Sequence, residues 1–348
     1  MRRTDAAAAV DFYSHVPPCS DAAGCRAGHT GNMAVLRQKH CGPLPCLYSR
    51  GICGSNFHFR KKYITMIIDI HTHTFPDWMA DATVEHLSRV SHTVPFTRGK
   101  NSDLRESMEQ AGIDRSVVLP VATAARQVEK LNDYSAKMNE QAEETGILFF
   151  GAMHPEYEGY REELARAVSL GLKGIKIHPV YQGADVDSLP FLRIIDRAAE
   201  LGLVVLTHGG LDIGFPEEVR CSPEMCRNVV EKVGKFKFIA AHMGGWRNWD
   251  QVPACYEGTG IMIDTSFSMG RLAPLDDGYY KTEEELQLMT PEEFVSLVRA
   301  VGAENVLFGT DCPWSGQKES MDAFRALPLT EEEKAAILGG NAARLLGL

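Results

Sequence analysis

No apolar run in these 348 residues approaches the roughly 18 to 20 needed to cross a bilayer as a helix, so no membrane partner is expected. A basic balance is missing too. The formal charge is −10, the wrong sign for a surface that must neutralise phosphates, which argues against a nucleic-acid partner. No C-x-x-C pair occurs, and no glycine-rich phosphate loop follows the first strand pattern. What remains is an ordinary enzyme composition, 44% hydrophobic and 24% charged, with enough apolar residues for a large core.

The scarcities are unevenly spread. Residues 1–65 hold nine Lys or Arg against three acids, Asp5, Asp11 and Asp21, and five of the nine cysteines. This stretch shows no sustained strand or helix period and lacks the apolar core of a secretory signal. Cys41, Cys46 and Cys53 with His40 and His58 do not have zinc-module spacing, and disorder is the better reading. Met66 opens the first strand pattern as an initiator would. Residues 1–65 are therefore expected to be a disordered or non-native extension, and residues 66–348 a single domain. With four scattered cysteines, that domain reads as a reducing, cytoplasmic protein without a disulfide framework.

From Met66 onward, short runs rich in Ile, Val, Leu and Phe alternate with amphipathic segments. Eight strands are predicted: Ile67–Ile70, Ser116–Val121, Ile147–Met153, Gly174–His178, Leu203–Thr207, Phe236–Ala241, Ile261–Asp264 and Asn305–Gly309. Helices are predicted over Gln127–Glu144, Tyr160–Leu170, Phe191–Leu201, Pro291–Ala300, Glu331–Leu338 and Asn341–Leu346. Gly171 and Gly202 stop two of them, and Thr290 before Pro291 starts a third. Eight such alternations fit a (β/α)8 TIM barrel, which needs about 250 residues. A doubly wound open sheet is the rival.

The strand ends carry the chemistry. The first ends in His71-Thr72-His73. Residues two apart in a strand share a face, so both imidazoles project together, with Asp69 expected on that face one step below. The fourth strand carries Lys176 and His178, the fifth ends at His208, the sixth at His242, and the eighth at Asp311. In a barrel these ends converge on one mouth, where barrel enzymes hold their active sites. Each residue alone has a structural explanation, but four strands placing His or Asp at one end point to a metal site.

On these residues the chain resembles the amidohydrolase superfamily, and within it the group that includes aminocarboxymuconate-semialdehyde decarboxylase. The resemblance runs over nearly all of 66–348, through His71-Thr72-His73, His208, His242-Met243-Gly244-Gly245, Gly309-Thr310-Asp311 and the closing Gly340-Asn341-Ala342-Ala343-Arg344-Leu345-Leu346. It implies one divalent ion, zinc or alternatively manganese, held by His71, His73, His208 and Asp311. It also implies His242 as acid/base beside the ion and Asp311 as the group that takes a proton from its water. Two-metal members of the superfamily use a carboxylated lysine from the fourth strand. Lys176, His208 and His242 fit that alternative, leaving Lys176 or His178 for a second ion or for substrate.

Substrate contacts are expected from Trp246 and Arg247, whose guanidinium would pair with a carboxylate. Phe75, Pro76, Asp77, Trp78, Asn248 and Trp249 are further candidates, and Trp314 is expected to pack the barrel's end. Residues 266–290, with Arg271, Tyr279 and Tyr280, form a long insertion read as a lid or a homodimer contact. The expected function is metal-dependent hydrolysis of a small carboxylate-bearing amide, ester or lactone by water activated to hydroxide. Non-oxidative decarboxylation by a carboxy-lyase is the alternative, and a catalytically idle ligand-binding barrel the third reading.

Overall fold

The structure is a computed structural model and describes residues 66–348. The expectations for residues 1–65 lie outside the described residues. Eleven strands occur among those described: β1 (Ile68–Thr72), β2 (Arg115–Val118), β3 (Ile147–Phe149), β4 (Gly151–Ala152), β5 (Gly174–Ile177), β6 (Val204–Thr207), β7 (Leu211–Asp212), β8 (Phe215–Val219), β9 (Phe238–Ala240), β10 (Met262–Asp264) and β11 (Val306–Leu307). β1, β2 and β3 pair in that order, and β4, β5, β6, β9, β10 and β11 follow, all in parallel. β3 and β4 flank Phe150 as one interrupted barrel strand. The Ile70 N–H donates to Phe308 O at 2.9 Å and the Asp311 N–H to His71 O at 2.8 Å, which joins β11 to β1. The eight strands therefore close into the expected (β/α)8 barrel.

Two cores result. Alternate residues fill the barrel interior: Ile68, Ile70, Val117, Leu119, Leu148, Phe150, Val204, Leu206, Ile239, Ala241 and Leu307. Gly174 makes room for Phe150, since a Cβ there would lie 2.5 Å from the phenyl ring. The intervening residues, such as Ile175, Ile177, Val205, Phe238 and Val306, pack outward against the helices. Burying both faces is what made these strands read as near-continuous apolar runs.

Local chemistry sets the helix ends. Thr290 Oγ1 accepts from the Glu293 N–H while Glu293 accepts from the Thr290 N–H, a capping box with Pro291 in the first turn. The segment expected as one helix over Gln127–Glu144 divides into Val128–Asn139 and Ala142–Thr145. Asn139 accounts for the break, because its side chain pairs with both backbone groups of Phe149 (2.7 and 2.9 Å). Four helices of ten or more residues were not anticipated, Asp77–Ser91, Asn101–Ala111, Pro223–Val233 and Gln317–Ala326, nor were the short Val252–Tyr256 and Glu283–Leu286. The apolar faces of the four are thin; Gln317–Ala326 buries only Met321 and Phe324 besides Gln317.

One expectation about β1 is corrected. Between Asp69 and Thr72 the strand advances three residues while β2 advances two, so β1 carries a bulge. Asp69 therefore does not share a face with His71 and His73. Ile68 and Ile70 point inward and Asp69 outward, where Thr310 Oγ1 (2.6 Å) and Gln317 Nε2 (2.8 Å) donate to its carboxylate. The extra residue turns His71 toward the mouth, a common use of bulges beside active sites.

Candidate active site

His71, His73, Lys176, His178, His208, His242 and Asp311 all line one cavity of about 440 Å³ at the carboxyl ends of the strands. Four of the five imidazoles are each aimed by a second nitrogen. His71 Nδ1 lies 2.9 Å from Asp264 Oδ2, and His73 Nδ1 lies 2.9 Å from Leu119 O. His208 Nε2 lies 2.9 Å from Leu211 O. His242 Nδ1 meets Ser266 O at 3.2 Å and Ser266 Oγ at 2.9 Å, and that hydroxyl donates its one hydrogen to Asp264 Oδ1 at 2.5 Å. All these partners are acceptors, so the proton of each neutral ring sits on the named nitrogen. The other nitrogen of each ring is bare.

The bare nitrogens converge in two groups. His71 Nε2 and His73 Nε2 are 3.2 Å apart, and Asp311 Oδ1 is 3.4 and 3.1 Å from them. His208 Nδ1 and His242 Nε2 face each other at 3.1 Å. The Lys176 Nζ lies 3.3 Å from His71 Nε2. Of the four ligands expected around one ion, the structure gathers His71, His73 and Asp311. His208 instead meets His242, and its ring also stacks on His178 at 4.3 Å.

Lone pairs set against lone pairs repel unless a cation stands between them. Burial disfavours a proton in that role on three of the four rings. Burial, with Lys176 and His73 adding to it, holds His71 well below the usual imidazole range. Burial and His178 push His208 down to about 3, and burial and His208 hold His242 well below its usual value. Atoms bound about 2.1 Å from one ion lie roughly 3.0 to 3.4 Å from each other, the spacing seen in the first group. The donor set thus fits divalent ions. Burial lowers Lys176 to about 8, and it raises Asp311 and Asp212.

The scaffold pays for this aim in backbone strain. His242, Met243, Phe267 and Asp311 have φ of 60°, 54°, 47° and 69°, a region costly for residues other than glycine. Asp264 holds the first of them: its Oδ1 accepts the His242 N–H at 3.0 Å, and its carbonyl accepts the Met243 N–H at 2.7 Å. Trp249 Nε1 donates to His242 O at 2.9 Å. Asp264 and Ser266 were not among the expected site residues. The signal was present, since Asp264 ends the predicted seventh strand, as His208 and His242 end or follow theirs.

The cavity walls are largely apolar, with Phe75, Leu119, Val121, Phe215, Trp246 and Phe267 among the lining residues. Trp246 lines the cavity, its Nε1–H donated to Phe267 O at 3.0 Å. Arg247 does not line the cavity. Its φ is 61°, its guanidinium lies 5.0 Å over the Trp246 ring, and it donates to Glu285 O at 2.8 Å. Pro76, Asp77, Trp78 and Asn248 also fall outside the lining, and Trp78 is 57% exposed. Trp314 lines the cavity.

The insertion at 266–290 is ordered. Arg271 pairs with Glu283, Tyr279 stacks on His92 at 3.7 Å, and Tyr280 donates to Ser91 O at 2.9 Å. Its Leu272, Leu286 and Leu288 cluster with Trp246. No helix among the described residues is long and apolar enough to cross a membrane.

Comparison with known proteins gives a family. The family model described as Amidohydrolase matches residues 68–348. No curated protein matches the chain. Among solved structures, the chain is similar to 5-carboxyvanillate decarboxylase LigW from Sphingomonas paucimobilis, at 16% identity and a TM-score of 0.57 over 82% of this chain and 99% of that one. It is similar to 2,6-dihydroxybenzoate decarboxylase from Rhizobium, at 15% identity and 0.57 over 82% and 99%. A dihydroxybenzoic acid decarboxylase from Polaromonas sp., solved with manganese and 2-nitroresorcinol, gives 15% and 0.58 over 82% and 98%. At these identities the likeness is one of fold.

Proposed function

The chain belongs to the amidohydrolase family of metal-dependent enzymes, and from that premise we propose that it hydrolyses a small amide, ester or lactone. The observation that carries this reading is the division of four bare imidazole nitrogens into two facing groups, with the Lys176 amine 3.3 Å from His71. His71, His73 and Asp311 would hold one divalent ion, and His208 and His242 a second, with Lys176 as its carboxylated form between them. Imidazole-rich donors favour zinc, and manganese is the alternative. Such ions, when bound, polarise a carbonyl and acidify water.

The chain's own groups supply the rest. Burial raises Asp311, so its carboxylate can accept the proton released as water attacks the carbonyl carbon. It then returns that proton to the departing nitrogen or oxygen as the carbon–heteroatom bond breaks. His242 has its aim fixed by Asp264, Ser266 and Trp249, which keeps its Nε2 turned toward His208 for the second ion. Asp264 acts as a positioning residue for His71 and His242.

The apolar walls favour a second reading, decarboxylation. There a carbon–carbon bond breaks, a charged carboxylate leaves as neutral carbon dioxide, and the carbon takes a proton. Several proteins sharing the fold are decarboxylases. A screen of zinc- and manganese-loaded protein against lactones, amides, esters and aromatic carboxylates separates the two readings. Acid release without carbon dioxide is expected; carbon dioxide in step with substrate loss would contradict the hydrolase.

A further inference from the structure

The hairpin of β7 and β8, inserted after β6, brings one carboxylate to the cavity that the hydrolytic scheme does not use. Asp212 is 5% exposed. The Gly214 N–H donates to its Oδ1 at 2.8 Å, and the Phe215 N–H also bonds the carboxylate. A carboxylate has about four acceptor positions, so two backbone donors leave the others open. Oδ2 lies 3.5 Å from His178 Nε2 and 3.9 Å from His208 Nε2. Both exceed a full hydrogen bond, and the His208 proton is already given to Leu211 O.

The neighbours on the hairpin are Leu211, Ile213 and Phe215. Among the described residues, Asp212 and Asp311 are the only carboxylates lining the cavity. A buried acceptor short of donors within apolar walls costs free energy, which a donor on a ligand restores.

We propose that Asp212 selects substrates carrying a hydrogen-bond donor, a hydroxyl or amino group, directed at the hairpin side of the cavity beside His178 and His208. This deepens the hydrolase reading and rests on it only for the identity of the reacting group. A site built around such a hydrogen bond rejects the analogue that lacks it far more strongly than apolar walls discriminate by size.

The test reads binding, not turnover. Calorimetric titration of the metal-loaded protein compares hydroxybenzoate isomers with the matching fluorobenzoates, which keep size but cannot donate. At least one hydroxy isomer should bind about tenfold or more tighter than its fluoro counterpart. Asp212→Ala should bring that ratio to within about twofold without changing metal content. Should that variant fail to fold, Asp212→Asn serves. Its amide oxygen stays with the backbone donors and its amino group faces the cavity, so the ratio should fall about fivefold or more. No preference for any isomer in the wild-type protein would overturn the proposal. So would a preference kept in the variants, or loss of a bound ion in Asp212→Ala. Hydrolysis can fail its own screen while this preference stands, and the preference can fail while hydrolysis is found.

Discussion

His71 donates from Nδ1 to Asp264 Oδ2 at 2.9 Å, and both residues are fully buried. The same carboxylate receives the His242 backbone N–H and the Ser266 hydroxyl. One buried group therefore sets the tautomer of His71 and the strained turn that presents His242. Such outer partners typically contribute 10- to 100-fold in metal affinity. Asp264→Asn keeps the size but puts an amide where His71 and His242 need an acceptor. Chelator competition should show weaker binding by about 10- to 100-fold, with activity partly regained in excess metal. Unchanged affinity would mean Asp264 is only a structural brace.

Lys176 gives a pH signature to the chelated protein. Its folded value is about 8 against an ordinary 10.5, with burial as the main cause. Between these values the unfolded chain holds a proton that the folded chain does not, so this residue's contribution to stability rises with pH across the window. Below about pH 8 the buried charge costs roughly 3 kcal/mol at most. The measurement is the urea midpoint of metal-free wild type minus that of Lys176→Met, from pH 7 to 10.5. The difference should shift in favour of wild type as pH rises. Parallel curves would show that Lys176 is not held in this depressed state.

Outside the cavity lining, Glu163 joins two helices to the barrel. It is 4% exposed and accepts from Asn132 Nδ2 at 2.6 Å and from Arg166 at 2.7 and 2.8 Å, while Asn132 Oδ1 accepts the Ala152 N–H. Glu163→Ala strands Asn132 and leaves Arg166 only Asp133 as a carboxylate partner. Arg166 is 37% exposed, so solvent softens the loss to about 2 to 3 kcal/mol. Thermal unfolding should start several degrees lower, with metal content and KM unchanged. A loss of metal would place this network in the site's support.

The barrel was legible in the sequence because both faces of its strands are buried, which leaves apolar runs no helix pattern imitates. The site's polar residues were legible because each terminates such a run. Their grouping was not. Whether His208 turns toward His73 or His242 depends on which carbonyl takes its other proton, and Leu211 O comes from a hairpin with no sequence signal. Asp69 misled because strand alternation holds only without a bulge. Arg247 falls outside the lining because proximity to His242 in sequence does not fix side-chain direction when φ is positive.

The pairing of His208 Nδ1 with His242 Nε2 at 3.1 Å makes ion stoichiometry the most direct test of this account. Protein expressed with bicarbonate and supplied with zinc or manganese should carry two ions per chain by elemental analysis. His208→Ala should retain one, bound by His71, His73 and Asp311, and lose turnover. A single ion in the wild-type protein, lost entirely in His208→Ala, would contradict the two-group site and return His208 to the set around His71 and His73.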